Sequence, residues 1–208
     1  SLYFDLPRHG NDQTPREEIT LESYACSIRD QLKQVKSERP VLVGHSLAGV
    51  GIAKALRSEP TFIQHSILVA ALVLKPGERG IDRIPENRRS SYFELADAST
   101  DGSFTLSPEV IRRVFFNDLN DAQAQGFHAQ LTPQPLSVYL EENVFDLSQL
   151  PCPKNYLACN RDQCIGLENS LLYAERLGGA TTILNADHSV MLSAPKLLAR
   201  SLINQLAK

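Results

Sequence analysis

The most constraining feature of the sequence is a tight turn at residues 44–49, which read GHSLAG. It lies between a short apolar run at residues 40–44 and a segment with helical periodicity at residues 47–58. A run that is apolar on both faces is typical of an interior strand of a parallel sheet. A strand that turns this sharply into a helix places the turn residue, Ser46, at the carboxyl end of the sheet. The turn therefore predicts an α/β fold with a reachable serine at the edge of its sheet.

Strand and helix patterns alternate through most of the remaining chain, and such alternation is typical of a parallel sheet covered by helices on both faces. We therefore predict a three-layer fold with a mostly parallel central sheet. The apolar runs that predict further strands are residues 2–6, 66–74, 154–159 and 181–184. The periodic segments that predict further helices are residues 20–37, with Thr20 as N-cap, residues 167–177, and a final helix with Pro195 in its first turn and Leu198, Leu202 and Leu206 on one face.

The alternation is interrupted at residues 76–149, which are rich in Pro, Arg and Asp and then become helical. We predict one domain spanning residues 1–208, with a core of residues 1–75 and 150–208 and a helical cap insertion between them. One cap helix begins at Pro108, and a second lies near residues 121–130. The apolar cap residues predict a pocket for a modest hydrophobic group, and they are Leu106, Val110, Val114, Phe115, Phe127 and Leu131.

Serine is a weak nucleophile unless a neighbouring base accepts its proton. One reading of Ser46 is a helix cap without chemistry, but the strand–turn–helix context favours a nucleophile. The turn also directs the backbone N–H of Leu47 and the helix N-terminus toward the point where an oxyanion would form. Among the five histidines, His188 is the candidate base, because it follows a predicted strand in a loop before the last helix. The others lie in less suitable contexts, and they are His9, His45, His65 and His128.

The third candidate is a carboxylate that orients the imidazole and stabilises its protonated form. Asp162 follows the preceding predicted strand, so it lies in the loop next to that of His188. We predict Asp162 as the acid, in the chain order Ser, Asp, His. The alternatives are Asp187, Asp118 and Asp146.

Composition limits the classes of partner and cofactor. A net charge of -3 with scattered basic residues gives no reason to expect nucleic acid or an anionic membrane, and no apolar run reaches membrane-spanning length. The four cysteines show no metal-ligand spacing, so we expect reduced thiols, no metal and a cytoplasmic setting. Cys26 and Cys159 are predicted to be small core residues. Cys152 and Cys164 complete the set.

Four short segments together resemble the successive landmarks of the α/β-hydrolase superfamily. They are residues 5–10 (DLPRHG), 43–49 (VGHSLAG), 160–162 (NRD) and 187–189 (DHS). The strict nucleophile pattern is G-x-S-x-G, and Ala48 replaces its last glycine with another small residue. The resemblance implies a three-layer α/β-hydrolase fold and a Ser46–His188–Asp162 triad.

Three further segments are similar to one branch of that superfamily, which holds plant methylesterases, hydroxynitrile lyases and their bacterial relatives. They are residues 72–78, 115–118 and 131–136. In hydroxynitrile lyases a lysine typically follows the catalytic histidine, whereas this chain has Ser189. The difference argues against cyanogenic lyase chemistry and favours hydrolysis.

The resemblance also implies a second oxyanion donor from a loop upstream of the nucleophile, and no segment matches it. The only His-Gly pair, His9-Gly10, resembles the loop after the fourth strand of the family instead. We expect that the N-terminal strands and this donor, about 30–45 residues, are absent. Either a segment of the natural protein precedes residue 1, which we favour, or the chain is a shortened relative with rearranged strand pairing.

We therefore predict a serine hydrolase that cleaves a small carboxylic ester through an acyl-enzyme and needs no cofactor. One alternative is a slow or non-catalytic ligand-binding protein on the same scaffold. Another is a hydroxynitrile or other C–C lyase. The expected partner is a small-molecule ester, and a homodimer is left open as the assembly.

Overall fold

Four parallel strands form the central sheet of the computed structural model, which describes residues 2–35 and 39–206. The strands in chain order are β1 (Val41–His45), β2 (His65–Val69), β3 (Ser103–Phe104), β4 (Gln134–Pro135), β5 (Lys154–Cys159) and β6 (Ala180–Leu184). The central sheet has the order β1-β2-β5-β6, and every neighbouring pair is parallel. β3 and β4 form a separate antiparallel pair. The predicted α/β fold with a parallel central sheet is confirmed.

Helices cover both faces of this sheet. The helices in the described ranges are α1 (Leu21–Gln34), α2 (Ala48–Leu56), α3 (Glu86–Asp97), α4 (Pro108–Val114), α5 (Asp121–His128), α6 (Ser137–Leu140), α7 (Leu167–Leu177), α8 (Val190–Ser193) and α9 (Pro195–Leu206). Leu68 of β2 points into a core built with α1, α2 and α7. Its neighbours Ile67 and Val69 point to the opposite face, where residues of α8 and α9 cover them. None of the helices in the described ranges combines the length and the apolar character needed to cross a bilayer.

Helix α1 begins as the sequence predicts, because the Thr20 side chain accepts a hydrogen bond from the Ser23 N–H. The predicted helix extends to residue 37, but α1 ends at Gln34, and residues 36–37 lie outside the described ranges. The prediction that Cys26 is a core residue is wrong, because its side chain is exposed. Cys26 follows the buried Ala25 directly, and one residue step rotates a side chain by about 100° around a helix.

The strand predicted at residues 66–74 ends at Val69. Ala70 has a φ of 41°, which no strand residue adopts, and the chain leaves the sheet there. Residues 71–74 are nevertheless buried, and the Leu72 N–H donates to the Ser46 backbone oxygen at 3.0 Å. The apolar run therefore reflects packing against the turn at Ser46 rather than strand pairing.

The strand predicted at residues 2–6 is wrong, since this segment has no strand conformation. Leu2 and Tyr3 are 75% and 98% exposed. Within the described ranges β1 pairs only with β2, so its other edge carries no strand. An apolar groove of about 760 Å³ separates that edge from residues 2–6. The apolar run lacks the neighbour that would bury it.

One helix prediction needs correction, and one further helix was not predicted. Helix α9 packs through Leu198 and Leu202, but Leu206 is 49% exposed and Gln205 is buried instead, where its amide oxygen accepts from Asn155. Helix α3 was not delimited by the sequence, because Ala96 is its only buried residue and it has no apolar stripe. The helices α3–α6 lie within residues 76–149, and the division into core and cap remains a prediction.

Candidate active site

Ser46 occupies a strained turn between β1 and α2. Its φ is 54°, in the left-handed region that residues with a side chain seldom enter. The Ser46 N–H donates to the Val69 oxygen at 3.3 Å, and the Ser46 oxygen accepts from the N–H groups of Leu72 and Gly49 at 3.0 and 3.2 Å. These bonds on both sides of the residue hold the turn in this conformation.

Two glycines allow the turn to pack so closely. A Cβ at Gly44 would lie 2.3 Å from Cδ1 of Ile52 in α2. A Cβ at Gly49 would lie 2.1 Å from the backbone oxygen of Leu72. The contact at Gly49 is with backbone and leaves no room for a side chain, whereas the contact at Gly44 is with the end of a side chain that could shift.

His188 lies in the loop after β6, as the sequence predicts, and its ring reaches Ser46. Its Nε2 is 3.0 Å from Oγ of Ser46, a hydrogen-bond distance. The ring is only 1% exposed, so little water competes for this contact. Phe115 packs edge-on against the imidazole at 5.3 Å between ring centroids, which restricts the orientation of the ring.

Asp162 lies in the loop after β5 and contacts the other ring nitrogen. Its Oδ2 is 2.8 Å from Nδ1 of His188, and its Oδ1 accepts from the N–H groups of Cys164 and Ile165 at 2.7 and 3.0 Å. Burial alone would raise the pKa of Asp162, but the bond to His188, its charge and the two backbone donors outweigh this and lower it. The carboxylate is therefore held ionised beside the imidazole.

The alternative acids have other partners. Asp187 is fully buried, and its carboxylate accepts from the Asp118 N–H at 3.1 Å and from the Ser193 hydroxyl at 2.6 Å. The carboxylate of Asp118 pairs with Arg161. Asp146 accepts from the Ser148 N–H and caps a short 3-10 turn. None of the three carboxylates hydrogen-bonds to a histidine ring of the described residues.

His45, which immediately precedes Ser46, has a contact that no sequence pattern predicts. Its Nε2 lies 2.9 Å from the backbone oxygen of His188, and the two rings are 4.6 Å apart. Because a carbonyl only accepts, this nitrogen must carry the proton. Burial, with a further contribution from His188, lowers the pKa of His45 to about 3, so the ring stays neutral.

His9 and His65 have structural contacts. His9 joins Tyr24 and Thr132 through its two ring nitrogens, at 2.7 and 2.8 Å. Burial, followed by the charge of Arg16, lowers the pKa of His9. His65 contacts the side chain of Asn155.

A cavity of about 530 Å³ opens above Ser46. Its lining includes Leu106, Phe115 and Leu131, three of the six cap residues that the sequence singles out. Val114 instead lines a smaller compartment of about 80 Å³ on the other side of Ser46 and Phe115. Val110 and Phe127 are not among the described residues that line either of these two cavities. The volume suits a small organic molecule with an apolar part.

Leu47 is the first residue after the turn and the N-cap of α2. Among the described residues, neither a carbonyl nor a side chain accepts a hydrogen bond from its N–H. Both Leu47 and Ser189 line the cavity, and Ser189 is 5% exposed. A free donor beside Ser46 Oγ is suited to an anionic oxygen.

No group of three metal-ligating side chains comes together in the part of the chain that the structure describes. The thiols of Cys26, Cys152, Cys159 and Cys164 are unpaired there. Burial raises the pKa of the Cys159 thiol to about 12, so it stays protonated.

Comparison with known proteins extends this description. The profile of the alpha/beta hydrolase family matches residues 2–201. The putative chloroplastic methylesterase 14 of Arabidopsis thaliana is 23% identical over 96% of this chain. Polyneuridine aldehyde esterase of Rauvolfia serpentina is 22% identical over the same share. The chain spans 62% of the length of the first relative and 82% of the second.

Among solved structures, an extracellular alpha/beta-hydrolase from a Paenibacillus species superposes with a TM-score of 0.87. Its sequence is 25% identical, and the match covers 97% of this chain and 85% of that protein. It is described as sharing structural and functional homology with tobacco salicylic acid binding protein 2. The parallel sheet and the helices packed around it thus have a counterpart in a solved structure.

Proposed function

The chain belongs to the alpha/beta hydrolase family, and from that premise we propose that it hydrolyses small carboxylic esters through an acyl-enzyme. Ser46 is the nucleophile, His188 the general base and Asp162 the acid. The observation that carries the proposal is the unbroken series of contacts, 3.0 Å from Ser46 Oγ to His188 Nε2 and 2.8 Å from His188 Nδ1 to Asp162 Oδ2. Similarity to esterases over 96% of the chain supports the same reaction class.

The first half of the reaction forms the acyl-enzyme. Ser46 Oγ attacks the ester carbonyl while its proton passes to Nε2 of His188, and Asp162 stabilises the resulting imidazolium. The carbonyl oxygen becomes an oxyanion, for which the Leu47 N–H is a donor. When the tetrahedral intermediate collapses, the bond to the alkoxy oxygen breaks. The imidazolium then returns its proton to the leaving alcohol.

The second half releases the acid. Water enters, His188 accepts one of its protons, and the resulting hydroxide attacks the acyl carbon. Collapse of this second intermediate breaks the bond to Ser46 Oγ, which regains the proton from His188. The net reaction converts one ester and one water into one carboxylic acid and one alcohol, with both side chains restored.

The substrate class follows from the space around Ser46. The cavity of about 530 Å³ fits an apolar acyl or alkyl group of modest size, and the compartment of about 80 Å³ fits only a small group. Ser189 offers a hydroxyl rather than a cation next to His188, which favours hydrolysis over cleavage of a cyanohydrin. A cytoplasmic setting remains a prediction.

A fluorophosphonate probe tests the proposal directly, because an activated serine displaces its fluoride and becomes covalently phosphonylated. We expect covalent labelling of the wild-type protein at Ser46, none in Ser46→Ala, and strongly slowed labelling in His188→Ala. Hydrolysis of p-nitrophenyl esters should follow the same order. A folded wild-type protein that is neither labelled nor hydrolytic would instead support a ligand-binding role, and cyanide release from mandelonitrile would support a lyase.

A further inference from the structure

Residues 117 and 118, in a turn of the cap segment, contact both loops that carry the candidate base and acid. The Asp118 N–H donates to Oδ2 of Asp187, which directly precedes His188. The Asn117 side-chain amide donates to the backbone oxygen of Arg161, which directly precedes Asp162. One turn therefore spans the gap between the two loops.

The side chains of Asp118 and Arg161 close a second link between the same elements. Nε of Arg161 lies 3.0 Å from both carboxylate oxygens of Asp118, and Nη2 lies 2.7 Å from Oδ2. Nη2 also donates to the backbone oxygen of Asn185 at 3.0 Å, and Nη1 contacts the Asn185 side chain. The guanidinium thus binds the cap turn and the segment before His188 simultaneously, while its own backbone belongs to the loop of Asp162.

The ion pair between Arg161 and Asp118 is partly exposed, so it can orient the loops without contributing much to folding stability. The side chains of Arg161 and Asp118 are 43% and 18% exposed, and ion pairs in such surroundings contribute little to folding stability. The planar, bidentate geometry nevertheless fixes orientation, because the guanidinium presents its donors in a rigid fork. Asp187, by contrast, is fully buried and takes its hydrogen bonds from the Asp118 N–H and the Ser193 hydroxyl.

We infer that Asp118 and Arg161 are positioning residues, which hold the Asp162 and His188 loops in register so that the 2.8 Å contact between Asp162 and His188 is maintained. The inference rests on the proposed function, since positioning matters to catalysis only if the triad is active. Phe115 belongs to the same cap segment and packs on the His188 ring, so the cap contacts both the ring and its supporting loop. Neither Asp118 nor Arg161 is among the residues lining the two compartments around Ser46.

The test uses Asp118→Asn, which keeps the backbone donor to Asp187 and removes the carboxylate, and Arg161→Lys, which keeps the charge and loses the fork. A displaced catalytic group slows reaction steeply, so we expect kcat and the rate of fluorophosphonate labelling to fall roughly 10- to 100-fold, with KM changed less than threefold. The double variant should lose no more activity than the worse single variant, because either change alone already breaks the contact between Asp118 and Arg161.

The matched control is Asp121→Asn, which breaks the exposed cap ion pair between Arg112 and Asp121, at 3.2 Å. That pair touches neither catalytic loop, so we expect unchanged labelling. Thermal unfolding midpoints of all variants should remain close to that of the wild type. If Asp118→Asn labels at the wild-type rate, or if Asp121→Asn slows labelling as much, the inference is wrong.

A second readout does not depend on turnover. A proton held between Nδ1 of His188 and Asp162 in this buried site should give a far-downfield proton resonance, which Asp162→Asn identifies by removing it. We expect Asp118→Asn to broaden or shift this resonance and Asp121→Asn to leave it unchanged. If the wild-type protein hydrolyses no ester but its resonance changes in Asp118→Asn, hydrolysis is refuted and the positioning role is retained. If the resonance is the same in Asp118→Asn and the wild type, the positioning role itself is overturned.

Discussion

A hydrogen bond of 2.9 Å joins Nε2 of His45 to the backbone oxygen of His188, and the two imidazoles lie 4.6 Å apart. The residue before the candidate nucleophile therefore supports the loop of the candidate base. Since burial lowers the pKa of His45 to about 3, its ring is neutral throughout the range in which His188 would act. The contact links the β1 turn to the loop after β6 without adding a charge.

The low pKa of His45 predicts how stability depends on pH. Below pH 6.5 the unfolded chain protonates this ring and the folded chain does not until about pH 3, so stability falls as pH falls through that window. His45→Gln removes this contribution. The wild type's advantage in unfolding free energy over the variant should therefore shrink by roughly 2 kcal/mol between pH 6.5 and 4.5. Urea unfolding at both pH values measures it, and a constant difference would contradict the assignment.

Asp162→Asn should abolish most activity while the protein remains folded. An asparagine cannot accept both from the backbone N–H groups of Cys164 and Ile165 and from Nδ1 of His188, because one end of its amide is a donor. If its NH₂ faces the ring, His188 adopts the tautomer that cannot take the Ser46 proton, which costs about 10⁴-fold in kcat.

The control for this change is Asp146→Asn, which alters a carboxylate that also accepts from a backbone N–H but has no histidine partner among the described residues. Labelling by a fluorophosphonate should be slow in Asp162→Asn and normal in Asp146→Asn. Equal labelling of the two variants would remove Asp162 from the mechanism.

Gly49→Ala should destabilise the fold. The added methyl group would lie 2.1 Å from the backbone oxygen of Leu72, and backbone cannot move aside as a flexible side chain can. We expect a loss of about 1–3 kcal/mol in unfolding free energy, measured by urea denaturation. Gly126→Ala is the matched control, because a Cβ there meets no atom within 4 Å in helix α5. It should raise stability by about 0.5–1 kcal/mol, and a loss as large as that of Gly49→Ala would argue against close packing as the cause.

Leu131→Trp should narrow the range of esters that are hydrolysed. Leu131 lines the cavity at 45% exposure, so a larger ring there can extend into the space without disturbing the core. With p-nitrophenyl esters of increasing acyl length, we expect kcat/KM for long chains to fall at least tenfold while acetate is little affected. Leu171→Trp changes a leucine of similar exposure, 42%, on helix α7 away from the cavity. If Leu131→Trp instead lowered kcat/KM equally for esters of every acyl length, the acyl group would have to lie elsewhere.

Local patterns were sufficient to predict the elements that position the site. The apolar run before Ser46 and the periodicity after it correspond to β1 and α2, and the loops of Asp162 and His188 follow β5 and β6 as predicted. Each of these signals lies within a few residues of the side chain that it concerns. The buried residues of α1 likewise follow the apolar periodicity of the sequence. Cys26 is the exception, because it lies one position outside the apolar stripe of the helix.

Several features that depend on contacts between distant segments were not predicted. Residues 70–74 read as strand, but their burial comes from packing against the turn at Ser46. Residues 2–6 read as strand as well, although no neighbouring strand pairs with them in the described ranges. The network of Asp118, Arg161 and Asp187 joins segments up to 69 residues apart, and each member alone looks like an ordinary loop residue. Single-sequence periodicity carries no information about such pairings.

The left-handed φ of Ser46 has a consequence for protein engineering. A residue with a side chain in this conformation costs on the order of 1–3 kcal/mol, which the surrounding hydrogen bonds must offset. Glycine would relieve that cost, so selection for thermal tolerance alone would favour a substitution that removes the hydroxyl we propose as the nucleophile. Directed evolution of this protein should therefore retain a screen for turnover at every round, because a substitution of Ser46 that raises thermal stability would lower the proposed activity.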